Sequence, residues 1–128
     1  MENAIQAKQE VIRFVEEIEK WFNGANTSVE ILMQNFSTSF RMTSPDGKKI
    51  NYEDLLHWLP SVKATKPGVR ITLTALEGYA TAEHALVSYI ETQESPTGKT
   101  IRESSAVFVR EEGRFVWYLL EEEWKESI

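Results

Sequence analysis

The sequence contains no cysteine, and it has only 4 prolines and 6 glycines among 128 residues. Without cysteine the chain forms no disulfide, no thiolate metal site and no cysteine nucleophile. The glycines occur singly, so there is no glycine-rich phosphate-binding loop. The longest unbroken apolar run, residues 115–120, is too short to span a bilayer.

Positive charge is also scarce. Lysine and arginine total 14 against 20 aspartates and glutamates, which gives a formal net charge of −6. Phosphate-rich partners require a basic face, so this balance predicts no nucleic-acid partner and no anionic membrane surface. The first residues lack the basic-then-apolar pattern of a signal peptide. Together with the absence of cysteine, this predicts a cytoplasmic protein.

The residues that are present have the composition of an ordinary globular protein, with 41% hydrophobic and 27% charged residues. That composition predicts one folded domain over residues 1–128. Helical periodicity begins at once, because apolar residues recur every three or four positions over residues 3–23. Asn3 is placed to cap this first helix, and Gly24 is placed to end it in a left-handed conformation.

Two further helices are predicted from their N-terminal signals. Thr27, with Glu30 three residues later, predicts a capping box for a short second helix. Asn51 with Asp54 predicts the same motif for a third helix. Pro60 is expected to end that helix at the preceding residue.

The rest of the chain predicts strands. A short hairpin over residues 36–43 and 48–50 separates the second helix from the third. Four long strands rich in β-branched and aromatic residues follow, over residues 69–79, 84–94, 100–110 and 114–124. The predicted fold class is therefore α+β, with three N-terminal helices packed on the concave face of one strongly curved antiparallel sheet.

The closing strand pair reads Val-Phe-Val-Arg-Glu-Glu-Gly-Arg-Phe-Val-Trp over residues 107–117. This hairpin and the order of the elements resemble the nuclear transport factor 2-like superfamily, with its cystatin-like cone. Within it, the chain most resembles small SnoaL-like and ketosteroid-isomerase-like proteins of unassigned function. The resemblance implies a bent sheet that encloses a pocket with the helices, and pairing of two copies through the outer sheet face. It leaves the activity open, because members include isomerases, dehydratases, cyclases, epoxide hydrolases and non-catalytic binding modules.

The sequence departs from the catalytic members at several positions. The first helix lacks the tyrosine of ketosteroid-isomerase-like members, and residues 36–43 contain no acid. Many SnoaL-like chains place a histidine late in the last strand, where this chain has Leu119 and Glu121. Whether the protein is an enzyme therefore stays open. His57 and His84 have no second ligand at metal-binding spacing, so no metal or cofactor is predicted.

Three glutamates are the first candidates for chemistry. If residues 111–113 form a three-residue turn, Glu103 faces Glu121 across the last two strands. If the preceding turn, at residues 95–98, places Gln93 opposite Ile101, Glu91 lies beside Glu103. Burial and mutual repulsion would then raise the pKa of one carboxyl, as a general acid or base requires. A two-residue turn at Glu112-Gly113 would instead put Glu103 and Glu121 on opposite faces, and solvated glutamates are the usual case. The catalytic candidates are Glu121, Glu103, Glu91 and Tyr89.

Aromatic residues are numerous enough either to line a pocket or to fill a core. As a pocket lining they predict a small hydrophobic ligand, held by a few polar anchors. The predicted function is ligand binding with no assigned role. The alternatives are a lyase or isomerase that uses Glu121 as general acid or base, and a structural dimer with a filled core. The predicted pocket residues are Phe14, Ile18, Trp21, Phe36, Phe40, Tyr52, Trp58, Tyr89, Ser105, Trp117, Leu119 and Glu121.

The other face of the last two strands is also apolar. An uncovered apolar patch of this size marks an interface, because monomers rarely tolerate one. The predicted partner is a second copy of the chain, bound through the outer face of the sheet. The predicted interface residues are Ala106, Phe108, Val116, Tyr118, Leu120 and Trp124.

Overall fold

The computed structural model of the chain describes residues 2–125, which form three helices and a six-stranded sheet. The predicted α+β fold class is confirmed. Within these residues no helix is both long and apolar enough to cross a membrane. The elements are α1 (Glu2–Phe22), α2 (Val29–Met33), β1 (Phe36–Thr43), β2 (Lys49–Asn51), α3 (Tyr52–Val62), β3 (Arg70–Ala80), β4 (His84–Ser95), β5 (Gly98–Glu111) and β6 (Arg114–Trp124).

The sheet has the strand order β2-β1-β6-β5-β4-β3. Four of its five pairings are antiparallel, but β1 pairs with β6 in parallel, so the all-antiparallel prediction is wrong at that one junction. The reason is connectivity, since the chain passes through α3 and three further strands before β6 returns to the side of β1. Register shifts in β1, β3 and β6 interrupt the ladders. Such bulges bend the strands and help to curl the sheet.

Helix α1 lies across the concave side of β3 and β4, and its buried stripe includes Ala7, Val11 and Phe14. Gly24, with a φ of +92°, ends this helix as predicted. The amide of Ala25 donates to the carbonyl of Lys20 at 2.9 Å, which completes a Schellman motif.

Asn3 does not cap α1, because it already lies inside the helix. Its side-chain amide nitrogen instead donates to the carbonyl of Thr81 at 3.2 Å. Its side-chain oxygen accepts from Nη2 of Arg110 at 3.1 Å. The side chain that was predicted to start the helix therefore ties it to the turn after β3 and to the end of β5.

The short helix α2 begins one residue later than predicted. Ser28, not Thr27, is its N-cap: the Ser28 backbone is extended, and its hydroxyl oxygen accepts from the Ile31 amide at 3.4 Å. At α3 the predicted capping box is confirmed, with Asp54 N–H donating to Asn51 Oδ1 at 2.9 Å and Asn51 N–H donating to Asp54 Oδ2 at 3.0 Å.

Helix α3 does not end before Pro60, as the sequence predicted, but continues through it to Val62. Proline removes one backbone donor from the last turn. The carbonyl of Leu59, in the same last turn, accepts a hydrogen bond from another helix, since Nε1 of Trp21 donates to it at 2.8 Å. A tertiary hydrogen bond thus satisfies one backbone carbonyl at the end of α3.

Tight hairpin turns join β4 to β5 and β5 to β6. Ser95 pairs with Gly98, and Glu111 pairs with Arg114, so two residues form each turn. Glu112 and Gly113 have φ angles of 50° and 81°, which suits a turn that follows the natural twist of the strands. Of the two turns that the sequence left open at residues 111–113, the two-residue turn is therefore the correct one. A shift of one residue moves every side chain of a strand to the other face.

A bulge in β6 then changes the register again. Phe108 pairs with Trp117 but Val107 pairs with Leu119, which leaves Tyr118 as the extra residue. Before this bulge Phe115 and Trp117 face the helices, as predicted. After it the inward positions belong to Leu120 and Glu122, since both border the interior of the cone.

Candidate functional site

A cavity of about 120 Å³ lies between α1, α3 and the concave face of the sheet. Most of the side chains around it are apolar, and Trp58 on α3, 44% exposed, lies where the cavity meets the surface. Aromatic rings pack directly against one another along its wall, with Phe36 and Phe40 centred 4.7 Å apart and Phe14 and Trp117 5.3 Å apart. The predicted pocket residues that border this cavity are Phe14, Ile18, Phe36, Phe40, Trp58, Tyr89 and Trp117.

The other predicted pocket residues lie elsewhere. Trp21 is buried but packs beside the cavity, where its indole binds the Leu59 carbonyl. Tyr52 and Leu119 border a separate groove together with Tyr118. The predicted pocket positions of Ser105, Leu119 and Glu121 are wrong, because all three face the outer side of the sheet. The tight turns and the bulge at Tyr118 are the physical reason.

The four catalytic candidates divide into two pairs. Tyr89 and Glu91 are buried and border the cavity. Glu103 and Glu121 lie on the outer side of the sheet, so the three glutamates do not converge in the pocket, a question that the sequence left open. Glu103 is exposed there and forms a 3.2 Å ion pair with Lys125.

A different set of charged residues occupies the polar end of the cavity. Arg102 lies between two buried carboxylates. Its Nη1 donates to Glu122 Oε1 at 3.4 Å, and its Nε is 3.9 Å from Glu91 Oε2. The hydroxyl of Ser104 donates to Glu122 Oε2 at 3.2 Å. We call Glu91, Arg102 and Glu122 the cavity triad.

Two more side chains support the triad from the rim. Nε2 of Gln93 donates to Glu91 Oε2 at 2.7 Å, and the ammonium of Lys66 donates to Gln93 Oε1 at 3.1 Å. The same ammonium lies 4.4 Å from the centre of the Phe22 ring. Burial, and then the positive charge of Arg102, lowers the pKa of Lys66. Hydrogen bonds thus connect Lys66 through Gln93 to Glu91.

The polar end of the cavity raises the pKa values of two of its side chains, Glu122 and Tyr89. Burial, followed by the charge of Glu91, raises the pKa of Glu122 from 4.5 to about 7, although Arg102 and Ser104 oppose the rise. Burial and the same two carboxylates also raise the pKa of the Tyr89 hydroxyl well above its ordinary value. A carboxyl that titrates near neutral pH can donate or accept a proton in a reaction.

Arg102, Ser104 and Glu122 were missed by reasoning from the sequence. The sequence did carry a signal for the first two. If two residues form the turn between β4 and β5, Arg102 and Ser104 lie on the same face as Glu91, and Glu103 and Ser105 lie on the other face. Glu122 required the bulge at Tyr118 as well, and the sequence around that residue carries no clear mark of it.

The two histidines are both on the surface. His57 is exposed and lies 4.0 Å from Glu53 one helical turn earlier, and His84 is exposed at the start of β4. In residues 2–125 there is no group of three histidine, aspartate or glutamate side chains that could hold a metal ion.

The outer face differs from the predicted interface. Ala106 and Phe108 are fully buried in the core, and Leu120 borders the cavity, so these three predictions are wrong for the register reason already given. Val116 is on the outer side but buried. Tyr118 is exposed. The outer-face prediction for Trp124 is wrong, because Trp124 pairs with Arg102 and its ring stacks on the Arg102 guanidinium, on the side of the cavity triad. The Trp124 indole donates to Asp46 Oδ1 at 2.9 Å.

In place of the predicted patch, one apolar row crosses four strands. Tyr79 pairs with Leu86, Leu86 with Val107, and Val107 with Leu119. These four side chains alternate with residues that face the helices, so they lie on the outer face, and Tyr79 and Leu86 are 62% and 42% exposed. We call this set the outer apolar row.

The fold is that of the nuclear transport factor 2-like superfamily, as the sequence predicted. The structure is similar to an NTF2-like protein of unknown function from Pseudomonas aeruginosa, with a TM-score of 0.89, 27% identity, and coverage of 94% of this chain and 99% of that one. It is also similar to a cystatin-like-fold protein of unknown function from Nostoc punctiforme, with a TM-score of 0.73, 14% identity and coverage of 94% and 92%.

A third similar structure is a candidate dehydratase of the NTF2-like family from Streptomyces avermitilis, with a TM-score of 0.79, 15% identity and coverage of 98% and 97%. At such identities the likeness shows the fold alone. No protein-family model matches the chain, and no curated protein matches it. The finer resemblance to SnoaL-like proteins stays a prediction.

Proposed function

We propose that this NTF2-like protein binds a small, mainly apolar molecule in the cavity beneath α1 and α3. One observation carries the proposal: an apolar cavity ends in the cavity triad, whose two carboxylates are almost completely buried. Ligand sites have this character, since most of their lining is hydrophobic and a few polar groups set orientation. A core that served stability alone would gain from replacing buried charges with apolar side chains.

The size of the cavity limits the ligand. At about 120 Å³ it is comparable to an apolar cavity of about 150 Å³ that accepts benzene in another protein. We therefore expect a compound with roughly one six-membered ring, unless Trp58 moves to enlarge the entrance.

Filling the cavity should abolish binding. Ile18 borders the cavity, so Ile18→Trp is expected to occupy it and to weaken binding of a ring compound such as cyclohexanone by about tenfold or more. Ile12 lies on the exposed side of the same helix, 42% exposed, and Ile12→Trp is the matched control that should leave binding unchanged. Titration followed by NMR, read at the Trp117 indole resonance, measures both. Equal binding by the two variants would place the ligand elsewhere.

A second candidate function is proton transfer by Glu122. Its support is the position of this carboxyl, with a pKa raised to about 7, beside Ser104 and Arg102 at the polar end of the cavity. In this role Glu122 would be the general acid or base of an isomerase- or lyase-type reaction. Glu121 does not fit that role, since it faces away from the cavity.

Self-association through the outer face also belongs to the proposal. The outer apolar row runs across the four longest strands, and a second copy could cover it by two-fold symmetry. Burial of this row in a dimer would remove the exposure of Tyr79 and Leu86.

Placing a charge in the outer apolar row should therefore disrupt the dimer. Leu86→Glu is expected to raise the dimer dissociation constant by at least about tenfold. Ile5→Glu is the control, because Ile5 is 49% exposed on α1, on the opposite side of the sheet. Sedimentation equilibrium at several concentrations measures both. An unaltered chain that sediments as a 14.7 kDa particle at high concentration would exclude the dimer.

A further inference from the structure

The guanidinium of Arg102 has more hydrogen-bond donors than the surrounding residues use. A guanidinium carries five N–H groups. Among the side chains that the structure describes, Arg102 makes one hydrogen bond, from Nη1 to Glu122 Oε1 at 3.4 Å. Its Nε is buried and has no acceptor among residues 2–125. Glu91 Oε2, at 3.9 Å from Nε, is beyond hydrogen-bond length.

Two of the nearby carboxylate oxygens, Glu91 Oε2 and Glu122 Oε2, already accept from donors other than Arg102. Glu91 Oε2 accepts the short 2.7 Å bond from Gln93, which Lys66 in turn holds in place. Glu122 accepts from Ser104 on one oxygen and from Arg102 on the other. A buried donor without an acceptor is unfavourable, and it is rare in native structures. Nε is enclosed by the protein, so the donors left for an acceptor in the cavity are the unused N–H groups of Nη1 and Nη2, since Arg102 borders that cavity.

We propose that the ligand carries an uncharged oxygen acceptor, such as a carbonyl, on a small apolar ring, and that Arg102 binds this oxygen. The inference rests on the proposed function, since it specifies the ligand of the same cavity. It makes Arg102 the residue that selects the ligand, while the aromatic wall supplies the contact with the ring.

The charges around Arg102 favour an uncharged ligand. A carboxylate ligand would bring a third anion beside Glu91 and Glu122, which already repel each other across Arg102. An ammonium ligand would add a cation next to Arg102 and Lys66 and would leave the free donors without an acceptor. Either charge would also lose its hydration in a mostly apolar cavity. A neutral oxygen avoids both costs.

Three ligands of nearly the same shape test the inference on the unaltered protein. Cyclohexanone has the oxygen acceptor, methylenecyclohexane replaces that oxygen by a CH2 group, and cyclohexanecarboxylate replaces it by an anion. We expect cyclohexanone to bind about tenfold or more tightly than methylenecyclohexane, and the carboxylate to bind no better than the hydrocarbon. In NMR titrations, the Nε–H resonance of Arg102 should shift with cyclohexanone and stay in place with the hydrocarbon.

The outcomes separate this inference from the proposed function. Equal affinity for cyclohexanone and methylenecyclohexane, tighter binding of the carboxylate, or an unmoved Arg102 resonance would overturn the inference and leave the cavity as a ligand site. Failure of both uncharged compounds to shift the Trp117 indole would overturn the proposed function and the inference with it.

A variant adds an independent comparison. Arg102→Lys keeps the positive charge but removes the planar set of donors. The variant should lose the preference for cyclohexanone while it binds methylenecyclohexane as before. If this variant does not fold, the ligand series and the Arg102 resonance of the unaltered protein still decide the question.

Discussion

Replacing Arg102 with methionine is expected to lower the free energy of unfolding by about 3–5 kcal/mol at pH 8. The methionine leaves Glu91 and Glu122 buried, within reach of each other and without the cation that lies between them. The loss should shrink as the pH falls through about 7, because Glu122 then takes up a proton and the two carboxyls no longer repel each other. Urea denaturation at several pH values measures it.

Two further variants show whether charge is the cause. Lys125→Met breaks an exposed ion pair, in which the charged atoms of Lys125 and Glu103 are 3.2 Å apart and the side chains are 43% and 57% exposed. This variant should lose at most about 1 kcal/mol of the free energy of unfolding. Combining Arg102→Met with Glu122→Gln removes one of the two stranded charges and should recover at least about half of the loss. A loss that is the same at pH 5 and pH 8 would point to lost packing on Trp124 and not to charge.

Much of the fold follows from local signals in the sequence. The apolar stripe of α1, the left-handed Gly24 and the capping box of Asn51 and Asp54 each act within a few residues, so reading them needs no tertiary information. The strands are long and their ends are marked by turn residues. These signals were enough to predict the α+β architecture and the superfamily resemblance.

The site depended instead on register, which local signals determine poorly. The turns after β4 and β5 each have one residue fewer than the arrangement that would bring the three glutamates together. As a result Arg102 and Ser104 face the interior of the cone, and Glu103 faces outward. The bulge at Tyr118 then exchanged Glu121 for Glu122. Trp117 was predicted on the correct face because it precedes the bulge. The alternation of inward and outward residues in β6 holds up to Tyr118, and the extra residue there reverses it for the residues that follow.

Helix α3 at Pro60 shows the same limit on another scale. Local chemistry predicts a break there, but the helix continues to Val62. In this last turn the Leu59 carbonyl accepts from the indole of Trp21, a residue 38 positions away. A contact of that kind cannot be read from the sequence near Pro60.

Glu122→Gln should change how stability depends on pH. In the folded protein the pKa of Glu122 is raised from 4.5 to about 7, so between these pH values the native state keeps a proton that the unfolded chain has lost. The free energy of unfolding of the unaltered protein should therefore fall by about 3 kcal/mol as the pH rises through this window and stay level above it. Glutamine does not ionise, so the variant should lack this fall.

Glu121→Gln is the matched control for that experiment, since it alters the neighbouring residue on the outer face of the same strand. Its stability should run parallel to that of the unaltered protein, within about 0.5 kcal/mol at every pH. Subtracting each variant from the unaltered protein isolates the pH-dependent part, whatever its absolute stability. If Glu122→Gln also runs parallel, or if NMR titration of the Glu122 carboxyl gives an ordinary glutamate pKa, then proton transfer by Glu122 is excluded. A response at Glu121 in place of Glu122 would mean that the bulge at Tyr118 is absent and that β6 presents its other face to the cavity.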